Sequence, residues 1–220
     1  MSKFGITKAL GLKQFLSTSL VLVTTLLALP ATAQSDSQQM AVKNLNSLLS
    51  ATNSMTANFT QTTKAGKKTT NFSGVMAVQR YDQFRWETKS PANQLIIANN
   101  AVMWVYDPDL GQAIKQPIAN QIGDTPAILL SGNPDKIADS FHITQPNSAK
   151  NYFKLMPKSA NAGFSELYIS FYDDKPVQII VLDLSGQQTT VKFSNISINK
   201  KINASQFDFS VPKGTQVISQ

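Results

Sequence analysis

From residue 55 onwards, apolar residues recur mostly with a period of two; before that point the spacing is helical. In the early segment Met40, Val42, Leu45, Leu48, Leu49 and Thr52 fall on one side of a helix that Ser35-Asp36 can cap. Gln38, Lys43, Asn44, Asn46 and Ser47 form its polar back, so the helix is expected to pack on the sheet that follows. Strand patterns then occupy residues 55–61, 69–80, 94–98, 102–106, 112–117, 141–145, 152–157, 164–172, 177–184 and 189–198. Ala65-Gly66-Lys67-Lys68, Asn99-Asn100, Asp107-Pro108-Asp109-Leu110-Gly111, Tyr172-Asp173-Asp174-Lys175-Pro176 and Ser185-Gly186-Gln187-Gln188 supply turns. So many strands joined by short turns predict a mainly β (α+β) fold: an antiparallel sheet that curls towards a barrel.

The stretch Gly74 to Thr88 carries the first candidate site residue. Met76, Val78 and Arg80 share one face of an extended chain, and Phe84, Trp86 and Thr88 share a face after the turn at Tyr81-Asp82-Gln83. Arg85 and Glu87 point the other way. A cation at the end of an apolar stripe either snorkels to the rim or meets a partner that covers the surface. A second interruption begins at Gly123. Thr125 can cap a short helix, Pro126 suits its first position and Gly132 its end; Asn133-Pro134 starts another through Ala138. Helices this short need tertiary support, so Ile128-Leu129-Leu130 must lie against something apolar. Either they plug one end of a closed barrel or they form a lid over an open one.

Residues 1–33 read as an export signal. Lys3, Lys8 and Lys13 precede an apolar run over residues 15–29, and Ala31-Thr32-Ala33 is a small-residue cleavage site with the cut expected before Gln34. Residues 34–220 then make a single domain with a substantial core. The signal holds three lysines and no acids, so the formal charge falls from +7 to +4 on its removal. The remaining basic residues form no single stripe, which argues against nucleic acid as a partner. The chain has no cysteine, which excludes disulfides, thiol chemistry and a cysteine-linked lipid anchor.

Catalytic equipment is sparse. His142 is the only histidine and lies mid-strand, so ordinary zinc or copper sites are not available. No nucleophile elbow or glycine-rich phosphate loop is present, and most carboxylates sit in turns. The chain reads as a non-enzyme with no cofactor.

The series Gly74, Val78-Gln79-Arg80, Phe84-Arg85-Trp86-Glu87, Pro91, Gln94-Leu95-Ile96-Ile97 and Trp104-Val105-Tyr106-Asp107-Pro108 is specific in order and spacing. With Thr125-Pro126, Leu129-Leu130, Phe207-Asp208-Phe209 and Pro212-Lys213-Gly214, it resembles the LolA family of periplasmic outer-membrane lipoprotein carriers over the whole exported chain. Tyr81 stands where the family often has proline, and Asn99-Asn100 where Asp-Gly is usual. The resemblance implies an incomplete, strongly curved antiparallel β-barrel under a short-helix lid, with Arg80 bonded to the lid and Phe84 and Trp86 beside a cavity for acyl chains. Met76, Val78, Phe84, Trp86, Leu95, Ile97, Met103, Ile128, Leu129 and Leu130 are expected to contribute to that apolar surface. It further implies a periplasmic monomer whose cargo is acylated lipoproteins, loaded by an inner-membrane ATP-dependent release complex and passed to an outer-membrane acceptor. Another lipid- or lipopeptide-binding module on the same half-barrel, such as an envelope-stress sensor, is the competing reading.

Overall fold

The structure, a computed structural model, describes residues 32–100, 102–118 and 126–219, all within one unit spanning Thr32–Gln220. The export signal up to residue 31 and the expected Thr125 cap lie outside the described residues. Helix α1 (Thr32–Ser50) is followed by strands β1 (Ser54–Ala65), β2 (Lys68–Gln79), β3 (Gln83–Ser90), β4 (Gln94–Asn99), β5 (Val102–Asp107) and β6 (Gln112–Pro117). Two 3-10 helices, Pro126–Leu130 and Pro134–Lys136, and the short helix α2 (Ile137–Ser140) interrupt the sheet. Strands β7 (Phe141–Thr144), β8 (Tyr152–Pro157), β9 (Phe164–Tyr172), β10 (Lys175–Asp183) and β11 (Gln188–Ile198) complete the meander. A third 3-10 helix, Ala204–Phe207, and β12 (Gln216–Ser219) end the chain.

All twelve strands form one sheet in the order β12-β6-β5-β4-β3-β2-β1-β11-β10-β9-β8-β7. Its two edges, β12 and β7, do not meet, so the barrel is open and the reading of the 3-10 helices as an end plug to a closed barrel is excluded. Turn chemistry sets the hairpins: Asn100, Asp173 and Asp174 adopt positive φ, which short polar side chains tolerate. β12 pairs parallel to β6 and was not expected, because four residues with two apolar side chains give no periodicity to read.

The sheet has two apolar layers. On the concave face Met55, Ala57 and Phe59 of β1 join Met76, Val78, Phe84, Trp86, Ile96, Ala98 and Met103, with inward residues of β7 to β11, in one buried cluster under α1 and the 3-10 helix Pro126–Leu130. α1 packs against β7, and its Ala41, Leu45 and Leu49, one residue every helical turn, are buried in the cluster. Met40, expected on this face, is 57% exposed; the rotation that seats Leu45 and Leu49 leaves room there for Ala41 instead. The helix also starts at Thr32, before the Ser35-Asp36 cap.

The second layer lies on the convex face and corrects part of the expected cavity. Arg85 pairs with Ile97 and Glu87 with Leu95, whereas Phe84 pairs with Ala98 and Trp86 with Ile96. Leu95 and Ile97 therefore point away from the concave face, on the side of Trp104 and Tyr106. The 3-10 helix Ala204–Phe207 packs on β3 and β4 there, with Phe207 only 1% exposed. Phe209 lies 5.3 Å from the Trp104 ring and 5.5 Å from that of Tyr106. Replacing Phe207 by Ala should cost about 3–5 kcal/mol. That corresponds to a melting temperature lower by about 10 °C, checked by circular dichroism.

Candidate functional site

The site is the concave face and what closes it. Phe84, Trp86 and Thr88 are buried in a row on β3 because alternate residues share a face and Gln83, Arg85 and Glu87 take the other. Met76 and Val78 sit opposite Trp86 and Phe84 on β2. Met103 joins them across Ala98. Phe59, which sequence reasoning did not single out, stacks on Trp86 with ring centroids 3.5 Å apart and planes 18° from parallel. The alternation of Met55, Ala57 and Phe59 was its only trace in the sequence. Ile128, Leu129 and Leu130 are all buried, as the expected lid requires, and their 3-10 helix packs against β10.

Three short loops meet at Arg80. Its Nε donates to the Thr52 carbonyl at 2.8 Å and its Nη2 to the Leu49 carbonyl at 2.9 Å, both at the C-terminal end of α1. Its Nη1 donates to the carbonyl of Gly132, at the end of the lid turn. One guanidinium thus ties the sheet, the first helix and the lid, using the fork that lysine lacks. The turn that follows adds a second tie. Asp82, at φ 62°, donates its backbone N–H to the Ser131 carbonyl at 2.9 Å. Burial lowers the pKa of Arg80 from the usual guanidinium value, opposed by Tyr81. An arginine nevertheless stays charged at any accessible pH, so this clamp does not titrate. The Thr52 hydroxyl, 2% exposed, has no partner beside it.

Two cavities adjoin the lid among the described residues. One cavity of about 100 Å³ opens between Trp86, Phe72 and Ile96 of the sheet and Pro126 and Ala127 of the lid, rimmed by Gln61, Thr88 and Gln94. A second, about 210 Å³, lies on the other side of Ile128 and Leu129, against Ile118, Ile137 and Phe141. Ligand pockets usually measure roughly 300–1,000 Å³. Ile128, Leu129 and Leu130 are buried in the same cluster as the sheet side chains, so lid side chains occupy this part of the concave face, a closed arrangement. Of the expected cavity residues, Met76, Val78, Phe84, Trp86, Met103, Ile128, Leu129 and Leu130 belong to this one cluster. His142 is exposed on β7, and among the described residues no group of His, Asp or Glu is placed to hold a metal ion.

Fold and site together define a lidded half-barrel: an open sheet whose apolar concave face is shut by a short hydrophobic turn held through an arginine. The model of the outer membrane lipoprotein carrier protein LolA family matches residues 50–210, and the chain belongs to that family. It is 37% identical over 191 residues to the outer-membrane lipoprotein carrier protein of Azotobacter vinelandii, covering 86% of this chain and 91% of that one. Against the protein of the same name from Pseudomonas aeruginosa strain UCBPP-PA14 the identity is 36% over 197 residues, with 88% and 95% covered. The fold is shared with an uncharacterized conserved protein from Thermus thermophilus, at TM-score 0.51 and 14% identity, over 83% of this chain and 98% of that one.

Proposed function

We propose that this chain carries acylated lipoproteins through the periplasm, taking them from an inner-membrane ATP-dependent release complex and handing them to an outer-membrane acceptor. Family membership supports the reading. The observation that carries it is the burial of Ile128, Leu129 and Leu130 on a concave sheet face that their own backbone does not pair with. Those side chains stand where acyl chains would lie. On this reading residues 1–33 direct export and the remainder works as a monomer without catalysis. No helix among the described residues is long and apolar enough to cross a membrane.

Magnitudes decide how such a carrier works. Burying three large lid side chains contributes about 1.5–3 kcal/mol each, and an acyl chain gains ~0.8 kcal/mol per methylene. A long acyl chain therefore outweighs the lid if it comes from water. Coming from a membrane it gains almost nothing, because the bilayer already buries it. Once the lid face rests on acyl chains instead of the sheet, its own burial is largely restored. What stays lost is the Arg80 clamp, a charged hydrogen bond worth about 1.5–3 kcal/mol. That is a bias of roughly 10- to 150-fold against the loaded form. Loading must then be driven from outside, and delivery to an acceptor without such a clamp runs downhill.

The test is incubation with inner-membrane vesicles that hold lipoprotein and the release complex. A soluble one-to-one complex should appear in the supernatant only when ATP is present. No soluble complex under any condition would end the carrier reading. Hydrogen exchange gives a second check. The Asp82 amide, bonded to the lid at 2.9 Å, should exchange at least about tenfold faster than the amides of β1 and β2, because lid opening does not require the sheet to unfold. Equal protection would mean that the lid is ordinary core.

A further inference from the structure

The hairpin β1–β2 is longer than its neighbour needs. Each strand has twelve residues, but β3 ends its pairing at Ser73↔Ser90. The tip beyond Ser73 therefore projects past β3 by about 15 Å. It turns tightly at Gly66, which takes φ 58°, and it carries Lys64, Lys67 and Lys68, all exposed. On its other side it is flanked by β11, where Lys64 pairs with Gln188. The β10–β11 turn thus lies beside the tip and presents Leu184, which is 70% exposed. Lys192, opposite Thr60, adds a further exposed cation.

Among the described residues no acid is paired with these lysines. Strands β1, β2 and β11 contain no Asp or Glu. The nearest carboxylate along the chain from Leu184, that of Asp183, is used by its own turn. It accepts from the backbone N–H groups of Ser185 and Gln187, both at 2.8 Å, and from the Ser185 hydroxyl at 2.7 Å. The same end of the sheet holds the mouth between Trp86 and the lid: Gln61 and Phe72, which line it, are paired three residues before Lys64. That separation is about 10 Å along the strands.

We propose that this tip docks weakly on an anionic phospholipid surface, with Lys64, Lys67 and Lys68 on the head groups and Leu184 at the interface. The contact holds the mouth towards the membrane. This inference rests on the carrier reading only for the meaning of the mouth. Lysines on flexible stems suit a diffuse anionic surface, whereas a defined acidic patch on a protein favours the arginine fork. One leucine and three lysines give a reversible contact, as a carrier that must leave requires.

Vesicle flotation tests it, using phosphatidylcholine vesicles with and without about one-third phosphatidylglycerol. The exported protein should float with the anionic vesicles at low salt, and not with neutral ones. The association should fade at about 0.5 M salt, where charges are screened within a few ångströms. Each lysine contributes about fivefold, so the triple variant Lys64→Ser, Lys67→Ser, Lys68→Ser should bind about a hundredfold less. Leu184→Ser should lower binding by up to about tenfold. Unchanged flotation of the triple variant, or no flotation of the parent, overturns the proposal. Flotation only when the inner-membrane partner is reconstituted also overturns it, in favour of a protein contact. Uptake of a palmitoylated peptide, followed by tryptophan fluorescence, is measured in parallel without vesicles. Failure there counts against the carrier reading, whereas intact uptake with failed flotation counts against the tip alone.

Discussion

Arg80→Leu should accept lipoprotein and fail to give it up. The substitution removes the donors to Thr52, Leu49 and Gly132 and keeps a comparable apolar bulk at the edge of the concave face. The closed form loses that clamp while the loaded form, in which the lid has already left it, loses much less. The population shifts towards the open, loaded state by about 10- to 150-fold. Transfer to outer-membrane vesicles containing the acceptor should fall by a similar factor. Arg80→Lys should be intermediate, because an ammonium keeps the charge but cannot span three carbonyls from one plane. Two of the three bonds go to the end of α1, so both variants should also unfold at lower temperature. The transfer assay separates the two effects, since a merely destabilised protein would not hold its cargo more firmly. Normal transfer by Arg80→Leu would falsify the clamp.

Gly74→Ala should be the most damaging small substitution in the sheet. At Gly74 the register of β2 against β3 shifts by one residue, and the Glu87 carbonyl is brought against the glycine. A Cβ there would lie 1.9 Å from that oxygen and 2.8 Å from the Phe59 ring. Neither neighbour yields easily: one is backbone in a paired strand and the other is stacked on Trp86. The cost should be at least about 3 kcal/mol, lowering the melting temperature by about 10 °C. A thermal melt within a few degrees of the parent would show that the strands part easily at this point. The link to function is direct, because the same displacement moves Trp86 at the mouth.

How far these features were legible depends on whether one face or two faces of a strand are buried. On β3 polar and apolar residues alternate, so Phe84 and Trp86 could be placed on one face without coordinates. The run Leu95-Ile96-Ile97-Ala98 is apolar throughout, and its period is silent. Both of its faces are covered, one by the concave cluster and the other by the segment around Phe207. Choosing Leu95 and Ile97 over Ile96 and Ala98 was therefore a choice of register, which only pairing with β3 decides. Arg80 is the opposite case. As a cation ending an apolar stripe it left both a rim position and a covering partner open in the sequence; the family resemblance alone implied its bond to the lid, and the Leu49 and Thr52 carbonyls left no trace because they are backbone. Carbonyls look the same at every residue. The lid was visible as a Pro-to-Gly hydrophobic segment, and whether it covered an open or a closed barrel depended on long-range pairing at β7 and β12.

Photo-crosslinking from neighbouring residues on β4 tests the central claim, that acyl chains occupy the concave face when the lid opens. A photoreactive side chain at Ile96 faces the concave cluster, and one at Leu95 faces outwards. Loaded with lipoprotein and irradiated, the protein labelled at residue 96 should crosslink to the acylated N-terminus, and the protein labelled at residue 95 should not. Equal labelling from both positions, or labelling from residue 95 alone, would contradict the account.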